Sequence, residues 1–142
     1  MKTIALASDH AGYELKEHLK AALGGYKILD LGTNSTDSVD YPDFGASAAD
    51  AVAGGKAELG IVICGSGIGI SIAANRNPKI RCALCVNEEM AKLSRAHNDA
   101  NILAIGARLT NKEEAGKILK TFLETAFEGG RHVKRVEKLS CQ

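Results

Sequence analysis

An α/β fold is what the 142-residue sequence predicts, and three features carry that expectation. Short apolar runs recur along the chain, stretches with helical spacing of apolar residues separate them, and Gly-Gly pairs or a proline punctuate the junctions. Alternating strands and helices imply parallel strands joined by right-handed crossovers. Strands that are nearly all apolar suit a sheet covered on both faces. The expected architecture is therefore a single-domain, Rossmann-like three-layer sandwich over residues 1–142, with a five-stranded parallel sheet and a C-terminal helical arm.

Residues 3–7 form the first apolar strand, and 13–23 a helix that Gly24-Gly25 ends. A second strand covers 27–31. After a polar stretch, Pro42 is placed to open a helix to about 53, where Gly54-Gly55 stops it. The third strand, 58–64, runs into a glycine loop and a helix that ends before Pro78. Residues 81–86 are the fourth strand, 88–96 a helix and 101–105 the fifth strand. Thr110-Asn111-Lys112-Glu113 has the pattern of a capping box opening a long helix to about 128, with Ala115, Ile118, Leu119, Phe122 and Leu123 at helical spacing. A basic tail from Arg131 to Lys138 follows Gly129-Gly130.

Bulk properties exclude several classes. Hydrophobic content of 45% and charged content of 25% are those of a globular chain, and a net charge of +1 points to neither nucleic acid nor an anionic membrane. No apolar run has the length of a membrane span, and the N-terminal run is too short and too soon charged for a signal peptide. A cytoplasmic location is expected. The four cysteines form no disulfide framework. Cys82 and Cys85 make a C-x-x-C, but three residues apart on a strand they face opposite ways and cannot act as a dithiol or chelate. Cys141, at the tail, carries no expected role.

The most informative run is Cys64-Gly65-Ser66-Gly67-Ile68-Gly69, where a thiol at a strand end meets three glycines on alternate positions and then a helix. Thiolates, phosphates and oxyanions are all stabilised by free backbone N–H groups at a helix N-terminus. No Gly-Lys-Ser/Thr follows, so this is not a phosphate-binding P-loop, and the G-x-G-x-G spacing is wrong for a dinucleotide fingerprint. With strand order 2-1-3-4-5, the ligand site lies between the first and third strands, where Asp9-His10 would face Cys64.

Each candidate also has a plain structural reading. Cys64 suits a buried core thiol, Asp9 and His10 suit the cap of the first helix, and His97 suits a cation at a helix C-terminus. Taken with a thiol at the same sheet edge, Asp9, His10 and His97 favour acid–base work. Arg131 and Arg135 share a helical face as a fork for phosphate or carboxylate, and Arg108, past the fifth strand, is placed to join them. No His, Cys, Asp or Glu set has metal-ligand spacing, so no metal is expected.

Ser8-Asp9-His10-Ala11-Gly12, Asp40-Tyr41-Pro42, the run from Cys64 to Asn75, His97-Asn98-Asp99 and Glu128-Gly129-Gly130-Arg131-His132 together resemble the type B ribose-5-phosphate isomerases of the RpiB/LacAB sugar-phosphate isomerase family. The resemblance runs in order over nearly the whole chain. It implies interconversion of D-ribose 5-phosphate and D-ribulose 5-phosphate through a cis-enediolate, in the non-oxidative branch of the pentose phosphate pathway, without metal or organic cofactor. It implies that Cys64 moves the proton between C2 and C1, with Ser66 a nearby hydroxyl and the N–H groups of Gly65, Ser66, Gly67, Ile68 and Gly69 holding the enediolate. His97 would open the sugar ring, Asp9 and Asn98 would bind sugar oxygens, and His10, Arg108, Arg131 and Arg135 the phosphate. The family pattern further implies a homodimer with each site at the subunit interface and His97 supplied by the neighbour; whether two such dimers pair into a tetramer is left open.

Members commonly carry Thr where this chain has Ser66, and the hydroxyl is kept. One branch uses a glutamate within this loop as base. Here position 70 is Ile and no carboxylate stands between Gly65 and Asn75, which leaves Cys64 as the loop's only candidate base. Two further readings remain open: an isomerase preferring a six-carbon sugar phosphate such as allose 6-phosphate or galactose 6-phosphate, and a non-catalytic sugar-phosphate-binding module.

Overall fold

The computed structural model describes residues 1–140. Its elements are β1 (Thr3–Ser8), α1 (Tyr13–Lys20) continued by a short 3-10 turn, β2 (Lys27–Asp30), α2 (Tyr41–Ala53), β3 (Leu59–Cys64), α3 (Ile68–Asn75), β4 (Cys82–Leu84), α4 (Glu88–Ala96), β5 (Ile102–Gly106), α5 (Lys112–Glu124) and α6 (His132–Leu139). The sheet is five-stranded and its described pairings are all parallel. Cys141 lies outside the described residues.

Strand alternation divides the core by size. Ile4, Leu6, Ile61, Ile63, Leu103 and Ile105 face α1, α4 and α5, where Leu19, Ile118 and Phe122 meet them. The opposite face carries Ala7, Val62, Cys64 and Ala104, and these small residues let α2 and α3 pack close to the sheet. Cys64 therefore points to the α3 side. Cys82 packs with this cluster and Cys85 with the other, the opposite-face arrangement expected of their spacing.

The strand order is β2-β1-β3-β5-β4, which corrects the expected 2-1-3-4-5. β5 is buried along its whole length and sits beside β3, whereas β4 is only partly buried and forms the edge. Gly60 on β3 faces Ile102 of β5, where a Cβ would lie 3.1 Å from the Ile102 side chain, so the pair packs closer than two branched residues allow. The switch between β1 and β3 is unaffected, and the exchange brings the carboxyl end of β5 to the same place.

Helix ends differ from expectation by identifiable bonds. Asn111, not Thr110, caps α5, its side chain accepting from the Glu114 N–H at 2.8 Å, and Thr110 is buried instead. The helix stops at Glu124 rather than near 128. Thr125 turns extended and its hydroxyl donates to the Thr121 carbonyl at 2.7 Å, which satisfies a carbonyl at the helix end. Residues 125–130 then cross to α4, where the Glu128 N–H donates to the Ala96 carbonyl at 3.0 Å. The basic tail is α6.

Among the described residues the one fully buried lysine is Lys16, whose ammonium lies 2.9 Å from Asp30 and 3.1 Å from Glu17; Lys20 also reaches both carboxylates. Burial pushes the Asp30 carboxyl up, but hydrogen bonds from Lys20, Lys16 and the Gly32 N–H outweigh it and hold it below the ordinary carboxylate value. The bonded carboxylate is the form the fold favours. Its contribution is thus complete above the unfolded value of about 3.9 and is lost as pH falls through the lower folded value.

Asp30→Asn is expected to destabilise the protein by about 2 kcal/mol at neutral pH, discounted from a fully buried pair because Asp30 is partly exposed and Glu17 remains. Urea titrations should show the difference from the parent beginning to shrink below about pH 4, where the unfolded chain's carboxyl takes up a proton, and disappearing only below the lower folded value. A difference that persists undiminished there would contradict the ion-pair account. For the core thiols, burial pushes Cys85 up to about 11. Alkylation at about pH 8 should leave Cys85 unmodified in the native protein and modify it after unfolding. Equal labelling in both states would refute this.

Candidate active site

The main chain around the end of β3 sets the geometry. The Asp9 N–H donates to the Ile63 carbonyl at 3.2 Å, tying the end of β1 to β3. The Ala107 and Arg108 N–H groups donate to the carbonyls of Cys64 and Gly65, both at 2.9 Å, and extend the β3–β5 pairing past the strands. Three strand ends thus meet at an open groove of ≈ 520 Å³ lined by Asp9, His10, Cys64, Ser66, Tyr41 and Arg108 among others. The convergence of Asp9-His10 with Cys64 at the β1/β3 switch is the one expected of an open α/β sheet.

Cys64 is buried, and the Gly67 N–H donates to its sulfur at 3.2 Å. A bond of this kind strengthens when the acceptor carries negative charge. Gly67 takes φ 77° as the N-cap of α3, and a Cβ there would lie 2.6 Å from Leu84 and 2.8 Å from the Ile105 backbone. Both conformation and space require glycine. Gly69 serves a different purpose: a Cβ would sit 2.5 Å from the Tyr41 ring, so the glycine lets that ring close one wall of the groove.

The loop's donors are partly spoken for. Ser66 Oγ accepts from the Ile68 N–H at 3.1 Å, and the bond reaching the sulfur comes from the backbone rather than from this hydroxyl. Gly69, in the first turn of α3, presents an N–H with no intrahelical acceptor. Asp9 Oδ1 accepts from the Gly12 N–H at 3.1 Å, which fixes the carboxylate below the start of α1. His10 Nδ1 accepts from the Val39 N–H at 3.1 Å, so the neutral ring carries its proton on Nε2.

His97, Asn98, Arg131 and Arg135 do not line this groove. His97 closes α4 and leads into the amino end of β5, and in a parallel sheet that is the edge opposite Cys64, with about 13 Å of strand between the two edges. The expectation that His97 shares the thiol's sheet edge within one chain is corrected by that polarity. Arg108 is likewise separated from Arg131 and Arg135, for it belongs to the Cys64 groove while they sit on the arm at α6.

This second constellation is built as firmly as the first. Asp99 takes φ 46°, and its carboxylate is held by Arg81 at 3.4 Å and Arg95 at 3.1 Å, fixing the turn that carries His97 and Asn98. The His97 ring stacks on His132, centroids 4.3 Å apart and planes within 15°. Glu128 lies beside both, 3.9 Å from His97 Nε2 and 3.6 Å from His132 Nε2. Burial pushes the His132 imidazole below the ordinary histidine value, helped by Arg131 and by His97 and opposed by Glu128. Tyr41, Glu128 and His132 were not among the residues the sequence singled out for roles. Tyr41 and His132 do stand inside distinctive motifs, but Glu128 precedes α6 across the left-handed Gly129 and Gly130, so no helical spacing announces its approach to His132.

No helix among the described residues is long and apolar enough to cross a membrane. A family model described as Ribose/Galactose Isomerase matches residues 4–139. Ribose-5-phosphate isomerase B of Escherichia coli (strain K12) is 46% identical over 143 residues, covering 99% of this chain and 96% of that protein. The structure of the Clostridium thermocellum ribose-5-phosphate isomerase B is 51% identical, with TM-score 0.96, and covers 97% of this chain and 95% of its own. That of Thermotoga maritima is 48% identical, with TM-score 0.97 and 99% coverage of each chain. With the family model spanning all but the ends and relatives matched along their whole length, the chain belongs to the ribose/galactose isomerase family.

Proposed function

We propose that the chain interconverts D-ribose 5-phosphate and D-ribulose 5-phosphate, with Cys64 of one subunit and His97 of a second acting on one substrate. The observation that carries this reading is Cys64 Sγ, held on the Gly67 N–H at the end of β3, in a groove that also holds Asp9, His10 and Arg108. The reaction moves hydrogen between adjacent carbons and is redox-neutral overall, so it asks for no external oxidant or cofactor. The sequence relatives named for ribose-5-phosphate isomerase B support the same substrate.

The thiolate of Cys64 removes the proton from C2 of the open-chain aldose and returns it to C1. The electron pair resides meanwhile on the cis-enediolate, whose oxygens the Gly69 N–H and the Ser66 hydroxyl are placed to bind. A preorganised donor of this kind contributes about 3 kcal/mol to the transition state. Asp9, fixed by Gly12, holds sugar hydroxyls. The Nε2–H of His10 and the guanidinium of Arg108 bind the phosphate from within the chain, and Arg131 and Arg135 of the second subunit complete its shell.

Ring opening needs an acid–base group at the ring oxygen, and His97 is that group. Sheet polarity keeps it from its own chain's Cys64, which supports a two-subunit site and a homodimer, with a tetramer built from two such dimers compatible. Asn98, on the same clamped turn, binds a sugar hydroxyl. Free thiols at Cys64, Cys82 and Cys85 support a reducing, cytoplasmic setting.

In heavy water, ribose 5-phosphate should form ribulose 5-phosphate with deuterium incorporated at the exchanging carbon. Cys64→Ala should lower kcat by about 10³-fold with KM little changed. Full activity in that variant would end the cysteine mechanism. For the interface, Cys64→Ala and His97→Asn, each inactive alone, should on refolding together recover about a quarter of parental activity, because half the dimers are mixed and each mixed dimer has one intact site. No recovery, with mixed dimers demonstrated, would place both residues' action within one chain.

A further inference from the structure

His97 meets Glu128 and His132 only through the fold. The Glu128 N–H donates to the carbonyl of Ala96, one residue before His97, and the left-handed Gly129 and Gly130 then turn the chain into α6, which His132 opens. The two imidazoles stack with centroids 4.3 Å apart and planes within 15°. Both turn Nε2 to the same carboxylate but to different oxygens: Glu128 Oε2 lies 3.9 Å from His97, and Oε1 3.6 Å from His132. Both contacts are longer than hydrogen bonds. The Glu128 side chain is 56% exposed, so a small rotation brings one oxygen onto each ring. His132 Nε2 is buried with no hydrogen-bond partner among the described residues, and this closure would satisfy it.

A carboxylate on one nitrogen of a histidine selects the tautomer and frees the other nitrogen for chemistry. With His97 Nε2 turned to Glu128, Nδ1 is the nitrogen left for a sugar. Opening a furanose moves one proton. The anomeric hydroxyl gives it up as the carbonyl forms, and the ring oxygen receives it as the carbon–oxygen bond breaks with its electron pair. A histidine that takes this proton and returns it balances the step, and between the two transfers it is a cation. Glu128 then supplies the opposing charge, and the stacked ring of His132 holds the plane. For this His132 must itself be uncharged. Burial, Arg131, His97 and Arg135 all push its imidazole below the ordinary histidine value, opposed by Glu128.

We infer that Glu128 and His132 are positioning residues for ring opening: the Glu128 carboxylate fixes the tautomer of His97 and stabilises its charged form, and the stacked His132 ring fixes its plane. This rests on the ring-opening role proposed above for His97.

The two substrates of the reaction separate this role from a structural one. Ribulose 5-phosphate has no ring to open, because the oxygen that would close on its carbonyl carries the phosphate. Hydrogen exchange at its C1 in heavy water therefore reads the Cys64 step alone. Glu128→Gln should lower turnover of ribose 5-phosphate about tenfold while changing that exchange less than about twofold. His132→Phe, which keeps a flat ring, should retain more ribose 5-phosphate turnover than His132→Ala. Glu128 is exposed, so its variant remains informative if a substitution of the buried histidine fails to fold. An equal fall in both reactions in Glu128→Gln would overturn the inference, as would a His97→Asn defect in ribose 5-phosphate turnover that Glu128→Gln does not share. Parental turnover of ribose 5-phosphate in His97→Asn would overturn the ring-opening reading itself, and this inference with it.

Discussion

The carboxyl end of β3 is the constraint on which the rest of the structure depends. It is held on one side by β1, through the Asp9 N–H on the Ile63 carbonyl, and on the other by β5, through the Ala107 and Arg108 N–H groups on Cys64 and Gly65. Because these are main-chain bonds between buried strands, the thiol, the Asp9 carboxylate and the Arg108 guanidinium are presented from a rigid frame rather than from a mobile loop. The loop after Cys64 can then turn into α3 within three residues, at the cost of a left-handed Gly67 that no other residue replaces without both strain and collision. A group preorganised in this way does not have to reorganise as charge develops on a substrate.

The same sheet imposes a separation. Parallel strands put every carboxyl end on one edge and every amino end on the other, so a helix that precedes a strand must finish on the far side. His97 finishes α4 and so stands at the amino edge, where Arg81 and Arg95 clamp the Asp99 turn and the 125–130 segment brings Glu128 and His132 alongside. Two well-ordered groups of functional residues at opposite edges of one sheet make little sense in an isolated chain. They make sense if the arm of one copy faces the groove of another, the arrangement proposed here for catalysis.

Much of this was legible in the sequence because the signals were local. The five strands and the helices announce themselves by period and by Gly or Pro at the junctions, and the Cys64 run carries its chemistry in consecutive residues. Where the expectation failed, two local choices were close in energy. Thr110 and Asn111 are both competent helix caps, and packing of Thr110 inward decided for Asn111. Residues 81–86 and 101–105 are both apolar enough to be central strands. The partner of Gly60 decided for β5, and the strand beginning beside Arg81 became the edge.

The sequence by itself determined the fold class, the family resemblance and which side chains carry reactive groups, since each depends on residue type and short-range spacing. Only the tertiary structure decided which of those groups share a site. It joined Arg108 to Cys64 instead of to the arm's arginines, and sent His97 to the opposite sheet edge. It also gathered His97, Glu128 and His132 into a cluster that no spacing rule anticipates, because the contact between α4 and the arm spans some thirty residues of chain. The physical reason is the same each time: a side chain's chemistry is a property of its residue, whereas its neighbours are set by the polarity of the sheet and the packing of elements remote in sequence.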